Sequence, residues 1–299
     1  GRIMEHIEQA GVHSGDSSCS IPPVTLSVEI QDQLIKQMIA FTKKLNVIGL
    51  VNAQFAVRKN KIFILEVNPR ASRTVPFVSK ATGNQLAKIA AKAMIGIPLS
   101  EQDETFSHTP GFYSVKGPVF PFNKFPDTDP ILGPEMKSTG EVMGTGMSFG
   151  EAYIKSQYAA GTEIPLSGNV FISVREPDKT KQLIKIAKQL LKKDYNLIAT
   201  QGTCDFLLNN NVKCTFINKV REGKPHIVDM IKNKEINLII NTTEGKQSIQ
   251  ESFSIRAEAV IKNVTYYTSL EAAIATIDSF DYFNNIDINK IQNYKYNKN

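Results

Sequence analysis

The sequence predicts an α/β protein in two parts, a mixed α+β first part followed by a doubly wound parallel sheet. Two observations lead to this class. Strand-like and helix-like segments alternate regularly from Val170 onward, whereas before that point two short β-rich runs lie side by side between helical patterns. The 299 residues are 41% hydrophobic and 21% charged, an ordinary globular composition with room for two domains. We place the domains at residues 1–160 and 161–299.

The first part begins with a helix and a hairpin. Apolar residues recur at helical spacing over residues 27–45, with Ser27 as the expected N-cap. The runs 51–57 and 62–68 are rich in β-branched and aromatic residues and are separated by four polar positions, which predicts a β-hairpin. Residues 84–94 are helical in spacing, whereas residues 99–161 are rich in Pro, Gly and Phe and predict few long elements.

The second part alternates strands with helices. The helical pattern is clearest over residues 179–193, and the strand candidates are 170–174, 197–199, 214–218, 238–240 and 264–267. Parallel neighbouring strands need crossover connections, so this alternation predicts a parallel sheet of about five strands with helices on both faces.

Charge and cysteine content narrow the class of protein. The formal charge is +6, but the basic residues are spread along the chain without interleaved aromatics, which argues against a nucleic-acid partner. The three cysteines are scattered and lack C-x-x-C spacing, which argues against a disulfide framework or a zinc site.

No apolar run approaches the roughly 20 residues of a membrane span, and no leader pattern opens the chain. We therefore expect a soluble cytoplasmic protein without a membrane partner. Since the first residue is Gly1, we also expect a piece of a longer chain.

The hairpin carries a candidate metal site. Side chains alternate along a strand, so Glu66 and Asn68 share a face, and Gln54 on the adjacent strand would complete a set of hard oxygen ligands for Mg²⁺. A plain two-residue turn at Lys59 and Asn60 would put Gln54 and Glu66 on opposite faces, so a shared site requires a three-residue loop or a β-bulge. The alternative is a solvated strand face with ordinary polar residues.

A second constellation follows three predicted parallel strands. Polar residues stand after the strands at 200–203, 218–219 and 241–243, where open α/β sheets bind their ligands. Loop amides, hydroxyls and a helix N-terminus at this edge form an anion cradle, and Lys179 and Lys219 add positive charge. The alternative is that the Ser and Thr residues serve only as helix N-caps.

Three motifs resemble the large subunits of carbamoyl-phosphate synthetases. Residues 66–83 read EVNPRASRTVPFVSKATG, residues 3–17 read IMEHIEQAGVHSGDS, and residues 133–144 read GPEMKSTGEVMG. Other ATP-grasp enzymes share the E-x-N-x-R core but not the residues that follow it. The likeness implies the end of the second, carbamate-phosphorylating ATP-grasp half, followed by a methylglyoxal-synthase-like allosteric domain. Methylglyoxal synthase itself is disfavoured, because its Gly-Gly-Asp stretch has no counterpart after Lys219.

The resemblance implies a ligand for each group of residues. It implies that Arg70 and Arg73 are catalytic groups near the transferred phosphate. It also implies that Gln54, Glu66 and Asn68 are ligands of Mg²⁺ or Mn²⁺. It assigns the nucleotide contacts, with ATP as substrate, to Gly11, Val12, His13, Ser14, Gln54 and Glu66. It assigns binding of UMP or IMP as effector to Lys179, Thr200, Thr203, Lys219, Asn241 and Thr243.

The same resemblance bears on partners and on a further effector. Members activated by ornithine hold it with acidic and hydroxyl groups that match Glu8, Asp16, Tyr266 and Thr268. A third acidic position falls on Gly117, so we expect ornithine to bind weakly or not at all. The implied partners are a small glutamine amidotransferase subunit and further copies of the chain in a homo-oligomer. The alternative function is a stand-alone nucleotide-binding regulatory module without catalysis.

Overall fold

Thirteen strands and nine α-helices make up the parts of the chain that the computed structural model describes, which are residues 1–102, 108–125, 128–283, 286–294 and 296–298. The strands are β1 Glu5–His6, β2 Cys19–Ile21, β3 Asn52–Arg58, β4 Lys61–Asn68, β5 His108–Pro110, β6 Tyr113–Val119, β7 Gly140–Gly146, β8 Gly168–Ser173, β9 Tyr195–Ala199, β10 Thr215–Phe216, β11 Leu238–Asn241, β12 Thr265–Tyr267 and β13 Tyr296–Lys298. The helices are α1 Val28–Lys44, α2 Val75–Thr82, α3 Leu86–Met94, α4 Phe149–Ala159, α5 Lys181–Lys192, α6 Gln201–Asn209, α7 Ile227–Lys232, α8 Lys246–Ile261 and α9 Leu270–Asp278.

The first part contains the predicted helix and hairpin. Ser27 caps the start of helix α1, and its hydroxyl accepts a hydrogen bond from the Ile30 N–H at 3.4 Å, as the sequence predicts. Strands β3 and β4 pair antiparallel, and α2 follows them directly. Phe77, Val78 and Ala81 of α2 pack with Ile21 of β2 in one apolar cluster, so the hairpin is anchored to the rest of the first part through α2.

A four-stranded antiparallel sheet in the order β1-β2-β6-β7 forms the centre of the first part. The prediction of few long elements between residues 99 and 161 is therefore wrong, since this stretch holds β6, β7 and α4. Helix α4 lies directly on β7, because Gly144 and Gly146 have no side chains. A Cβ at Gly144 would come within 2.0 Å of the Ala152 carbonyl oxygen. The glycines that suggested loops thus serve close helix-to-sheet packing.

The second part is the predicted doubly wound sheet. Its five parallel strands lie in the order β10-β9-β8-β11-β12, with β8 in the centre. Val170 and Ile172 are buried on one face and Phe171 on the other, in two separate apolar clusters. Both faces are therefore covered by helices, as parallel sheets require. The chain leaves β8 toward β9 on one side and returns to β11 on the other, which makes the carboxyl end of β8 a topological switch point.

Helix α4 also connects the two sheets. The Tyr153 hydroxyl lies 3.3 Å from the Thr276 hydroxyl and 3.4 Å from the Ala272 carbonyl oxygen of α9. Tyr153 is fully buried there, so this contact is part of the folded core.

Within the described ranges, no helix is long and apolar enough to cross a membrane. Cys19, Cys204 and Cys214 are free thiols, in agreement with the sequence.

Candidate functional site

A β-bulge in the hairpin brings the predicted metal ligands together. The turn is the two-residue Lys59–Asn60 type, with positive φ at both positions, and Arg58 pairs with Lys61. The register then shifts, so that Phe55 pairs with Ile64 but Gln54 pairs with Glu66. The extra residue in β4 places Gln54 directly opposite Glu66, which fulfils the condition that the sequence set.

The bulge also changes the face on which Phe63 lies. Side chains alternate along a regular strand, which by itself would put Phe63 on the face opposite to Glu66. Phe63 instead pairs with Ala56, which shares a face with Gln54, so Phe63 lies on the Glu66 side. Asn52 pairs with Asn68 and joins the same polar face, a position that the sequence argument missed.

The hairpin face suits a divalent cation that also binds phosphate. The Asn68 amide donates a hydrogen bond to the Glu66 carboxylate at 3.0 Å, which turns the Asn68 amide oxygen away from that contact and fixes both side chains. The donors are hard oxygens with a single carboxylate, and Mg²⁺ sites of this kind take their remaining ligands from substrate phosphates and water. These residues therefore fit the implied ion.

The two predicted arginines lie close to the hairpin but differ in their contacts. Arg73 points its guanidinium at the Met136 sulfur, with 2.7 Å between Nη1 and Sδ. Met136 in turn lies beside His13 and Gly15, since a Cβ at Gly15 would come within 2.8 Å of the Met136 sulfur and 3.2 Å of His13 Nδ1. Arg73 is thus brought to the predicted nucleotide segment. Arg70 is exposed and donates to the Ala71 carbonyl, a local contact.

The segment from Gly11 to Ser14 is a fixed loop. Gly11 has a φ of +109°, a backbone conformation that residues other than glycine rarely adopt. The His13 N–H donates to the Gly133 carbonyl at 2.7 Å, and the His13 ring accepts from the Gly15 N–H at 3.0 Å. The fully buried Lys116 donates from its ammonium to the Ser14 carbonyl at 2.9 Å. The loop can therefore present its backbone to a ligand at little conformational cost.

All six predicted effector residues line one cavity of about 360 Å³ at the carboxyl ends of the parallel strands. The sequence placed five of them at three separate strand ends and Lys179 near the start of a helix, and the switch point beside β8 brings all six together. A second cavity, of about 490 Å³, lies near Glu151 and Tyr294 and contains none of the predicted residues.

Hydroxyl and amide groups hold the cavity walls in place. The Thr200 hydroxyl lies 3.0 Å from the Ser173 hydroxyl, and the Thr203 hydroxyl accepts from the Val174 N–H at 3.2 Å. Thr203 is buried and lines the cavity, and a hydroxyl that accepts one hydrogen bond still has a hydrogen to donate to a ligand. Thr200 makes no side-chain cap on α6 in this structure, which disfavours the N-cap alternative at that position.

Positive charge borders the cavity. The Lys179 ammonium is paired with the exposed Glu176 carboxylate at 2.6 Å and lies close to the first turn of α6, since a Cβ at Gly202 would come within 3.2 Å of it. Lys219 is exposed at the cavity rim. Arg175 and Arg221 also line the cavity, although the sequence argument did not select them. Lys179 beside the N-terminus of α6, with Lys219 also lining the cavity, forms the electrostatic setting that a phosphate requires.

The residues matched to an ornithine site have mixed environments. Asp16 is fully buried, and its two oxygens accept the N–H groups of Lys137 and Ser138, each at 2.8 Å. Glu8 accepts from the Ser18 N–H at 2.7 Å, and burial raises the pKa of Glu8 to about 7. Tyr266 and Thr268, in and after β12, are half-buried.

Position 117 has little room for a carboxylate. A Cβ on Gly117 would lie 3.2 Å from Val142 Cγ2 and 3.3 Å from the Ser156 carbonyl oxygen. The glycine at position 117, in place of an acidic residue, therefore allows α4 to pack closely on the sheet.

Comparison with known proteins gives two family matches. Residues 3–102 match the carbamoyl-phosphate synthase L chain, ATP binding domain, and residues 182–268 match the MGS-like domain. Each match covers about a third of the chain.

Two bacterial proteins share most of this sequence. The carbamoyl phosphate synthase large chain of Xanthomonas campestris pv. campestris is 54% identical over 287 residues, which cover 94% of this chain and 26% of that one. The corresponding chain of Haemophilus ducreyi is 53% identical over 293 residues, covering 98% and 27%. This chain thus spans about a quarter of the length of these relatives. A solved N5-carboxyaminoimidazole ribonucleotide synthetase from Thermus thermophilus superimposes only loosely, with a TM-score of 0.39 and 13% identity over 52% of this chain and 45% of that one.

Proposed function

This chain is related over nearly its whole length to the C-terminal part of carbamoyl phosphate synthase large chains, and we propose that it performs two tasks of such a subunit. The first task is to hold the metal and the phosphates of ATP in an ATP-dependent ligase. The second is to bind a nucleotide effector in the MGS-like part. The whole enzyme would form carbamoyl phosphate from bicarbonate, ATP and ammonia, with the ammonia released from glutamine by a small amidotransferase subunit, for arginine and pyrimidine synthesis.

The alignment of Gln54 with Glu66 is the observation that carries the catalytic task. Phosphoryl transfer needs metal and cation positioning around a spreading negative charge more than it needs covalent chemistry. The bulge gives the hairpin a face with the Glu66 carboxylate and the amides of Gln54, Asn68 and Asn52. Arg73 follows a few residues farther along the chain. Gln54, Glu66 and Asn68 would hold an Mg²⁺ or Mn²⁺ ion here, and the ion would supply positive charge against the phosphates of ATP.

The effector cavity supports the regulatory task. The six residues that the resemblance assigns to the effector line one cavity, although they come from separate segments of the chain, and Lys179 lies beside the first turn of α6. A cavity of about 360 Å³ suits a mononucleotide, since small-molecule pockets run from about 300 to 1,000 Å³. We assign UMP or IMP to it, with the phosphate near Lys179 and the hydroxyls of Thr200 and Thr203.

A chimaeric enzyme tests the catalytic task. The C-terminal quarter of the Xanthomonas campestris large chain is replaced by this chain, and ATP-dependent formation of carbamoyl phosphate is measured with the small subunit present. Activity should be retained, and Glu66→Gln should lower it about 100-fold or more, because a lost metal ligand removes several kcal/mol of charge stabilisation. A Glu66→Gln chimaera as active as the unmodified chimaera would contradict the metal assignment and favour a regulatory module without catalysis.

A further inference from the structure

Arg256 of α8 is a buried cation directly behind the effector cavity. It has no exposed surface, and all five of its N–H groups donate hydrogen bonds. One Nη1 hydrogen goes to the amide oxygen of Asn241 at 3.2 Å and the other to the Ser252 hydroxyl at 2.7 Å. Asn241 and Ser252 both line the cavity. Arg256 therefore fixes which way the Asn241 amide faces.

The other side of the same guanidinium binds a residue of the first part of the chain. Nε and Nη2 donate to the two carboxylate oxygens of Asp129, at 2.7 Å and 2.5 Å, and Nη2 also donates to the Ile249 carbonyl at 2.9 Å. A parallel two-point pair of this kind fixes both distance and orientation. One planar group thus joins the cavity wall to Asp129, which is 127 residues away in sequence.

Asp129 belongs to a segment that is bound to the predicted nucleotide loop. The Lys137 ammonium donates to the Asp129 and Ile131 carbonyls, each at 2.7 Å. The backbone N–H groups of Lys137 and Ser138 donate to Asp16, and His13 donates to the Gly133 carbonyl. Hydrogen bonds therefore link Asn241, Arg256, Asp129 and Lys137 in succession to Asp16 in the loop at residues 13–16.

A second cavity residue reaches the same loop by a shorter path. Arg175 lines the cavity, and its backbone N–H donates to the Thr242 hydroxyl at 3.1 Å. Its guanidinium pairs with Asp178 and donates to the Gln9 side chain at 3.2 Å, two residues before Gly11. The cavity is thus linked to the region around residues 9–16 twice, directly through Arg175 and indirectly from Asn241 through Arg256 and Asp129.

We propose that Arg256 and Asp129 are a positioning pair, through which a nucleotide in the effector cavity changes how firmly residues 131–138 hold the loop at residues 13–16. This inference rests on the proposed effector function of the cavity. A ligand that moves the Asn241 amide must move the planar guanidinium, and the guanidinium cannot move without shifting Asp129, because its donors are all engaged. Coupling then follows from a ligand that prefers one arrangement of this network.

Hydrogen exchange measured by mass spectrometry on the full 299-residue chain tests the proposal. UMP or IMP at saturation should slow exchange in the cavity loops and also, about fivefold or more, at the amides of residues 131–138. Asp129→Asn should keep nucleotide affinity within about twofold, because it does not line the cavity, yet abolish the distant slowing. Asp278→Asn is the matched control, since Asp278 binds Lys185 and Gln189 on the surface, and it should behave as the unmodified chain.

Each other outcome counts against the pair. Distant slowing that survives in Asp129→Asn, or that is missing from the unmodified chain when nucleotide binds, would overturn the coupling. Loss of nucleotide binding in Asp129→Asn would show that the residue belongs to the site itself. If neither nucleotide binds the unmodified chain, the proposed effector function fails. Hydrogen exchange of the chain without nucleotide then tests whether Asp129 positions Arg256. In that state Asp129→Asn should speed exchange at residues 242–249 about fivefold, because Arg256 loses its anion, and unchanged exchange there would overturn the pair.

Discussion

Gln54 lies directly opposite Glu66 in the hairpin, because one extra residue in β4 shifts the register between Gln54 and Phe55. Without that bulge, the two-residue turn at Lys59 would place the amide and the carboxylate on opposite faces of the hairpin. The bulge thus decides whether these two side chains can share a ligand.

The first prediction concerns these two residues as ligands of one ion. In the chimaeric synthetase, Gln54→Ala and Glu66→Ala should each raise the Mg²⁺ concentration needed for half-maximal activity. The double variant should lose less than the product of the single effects, because residues that share a ligand are not independent. Arg58→Ala, farther along β3 on the same side, is the matched control. Independent effects with an unchanged Mg²⁺ requirement would show that the two side chains do not meet at a metal.

The second prediction concerns Glu8 and pH. Burial raises the pKa of Glu8 from 4.5 to about 7, so the folded state holds this proton more tightly than the unfolded chain. The contribution of Glu8 to stability is therefore full below pH 4.5 and is lost as the pH rises toward 7. Glu8→Gln has no such group and should not lose this stability. From pH 5 to pH 8, the free energy of unfolding of the unmodified chain should therefore fall by about 1–3 kcal/mol relative to that of Glu8→Gln.

Urea unfolding at the two pH values measures this difference. Burial, with Lys116 nearby, lowers the pKa of His6 to about 4, so the His6 contribution is full above pH 6.5 and is lost toward pH 4. That opposing trend is common to both proteins and cancels in the comparison. Exposed Glu135→Gln is the control. If Glu8→Gln and the unmodified chain show the same dependence on pH, Glu8 is ionised at neutral pH in the folded state.

The third prediction concerns the glycines under α4. Gly144→Ala should destabilise the chain by about 3 kcal/mol or more, since its Cβ would overlap the Ala152 carbonyl oxygen. Gly117→Ala should cost about 1–2 kcal/mol, because Val142 and the Ser156 backbone would have to move by a few tenths of an ångström. Gly140→Ala, in the same strand as Gly144, should change stability by less than about 1 kcal/mol, since its nearest neighbour is 3.6 Å away.

Thermal and urea unfolding rank the three variants. Equal stability for Gly144→Ala and Gly140→Ala would mean that α4 does not pack on β7 at this distance. Gly117→Glu would restore the carboxylate expected for ornithine, but it must displace α4 to do so. We therefore expect it to lose stability before it gains a response to ornithine.

The fourth prediction is that the 299-residue chain alone neither hydrolyses ATP nor forms carbamoyl phosphate. The chain spans a quarter of its relatives, and positioning of the phosphates is as important for this chemistry as the metal. Phe63, Ile64 and Leu65 of β4 are each about half exposed, so apolar surface beside the metal ligands is left uncovered. An ATPase assay with Mg²⁺ should show no turnover above that of Glu66→Ala. Turnover that disappears in Glu66→Ala would mean that the chain is a complete enzyme.

The sequence predicted the second part of the fold and its cavity better than the first part. Alternating strands and helices with buried apolar runs allow essentially one architecture, and its topology then brings Thr200, Lys219 and Asn241 to one edge. Strands β6 and β7 were missed because Pro118, Gly144 and Gly146 resemble turn residues, whereas Pro118 lies within β6 and the two glycines permit close packing of α4.

Longer-range contacts gave no local signal. From the sequence, a bulge or a longer loop could only be named as a requirement for a shared metal site. The residue pattern of β4 does not show where an extra residue lies. Arg256 and Asp129 lie 127 residues apart, and neither belongs to a periodic pattern or a motif that would pair them.

Calorimetric titration of the chain with UMP, IMP and the matching nucleosides tests the central claim, the effector cavity, most directly. We predict that the nucleotides bind and that uridine and inosine bind far more weakly, because the proposed site would hold the phosphate with Lys179 and the first turn of α6. Thr203→Ala should weaken nucleotide binding by about 1–3 kcal/mol, whereas Thr203→Ser, which keeps the hydroxyl, should bind nearly as well as the unmodified chain. Equal binding of UMP and uridine, or an affinity unaffected by Thr203→Ala, would contradict the assignment of this cavity.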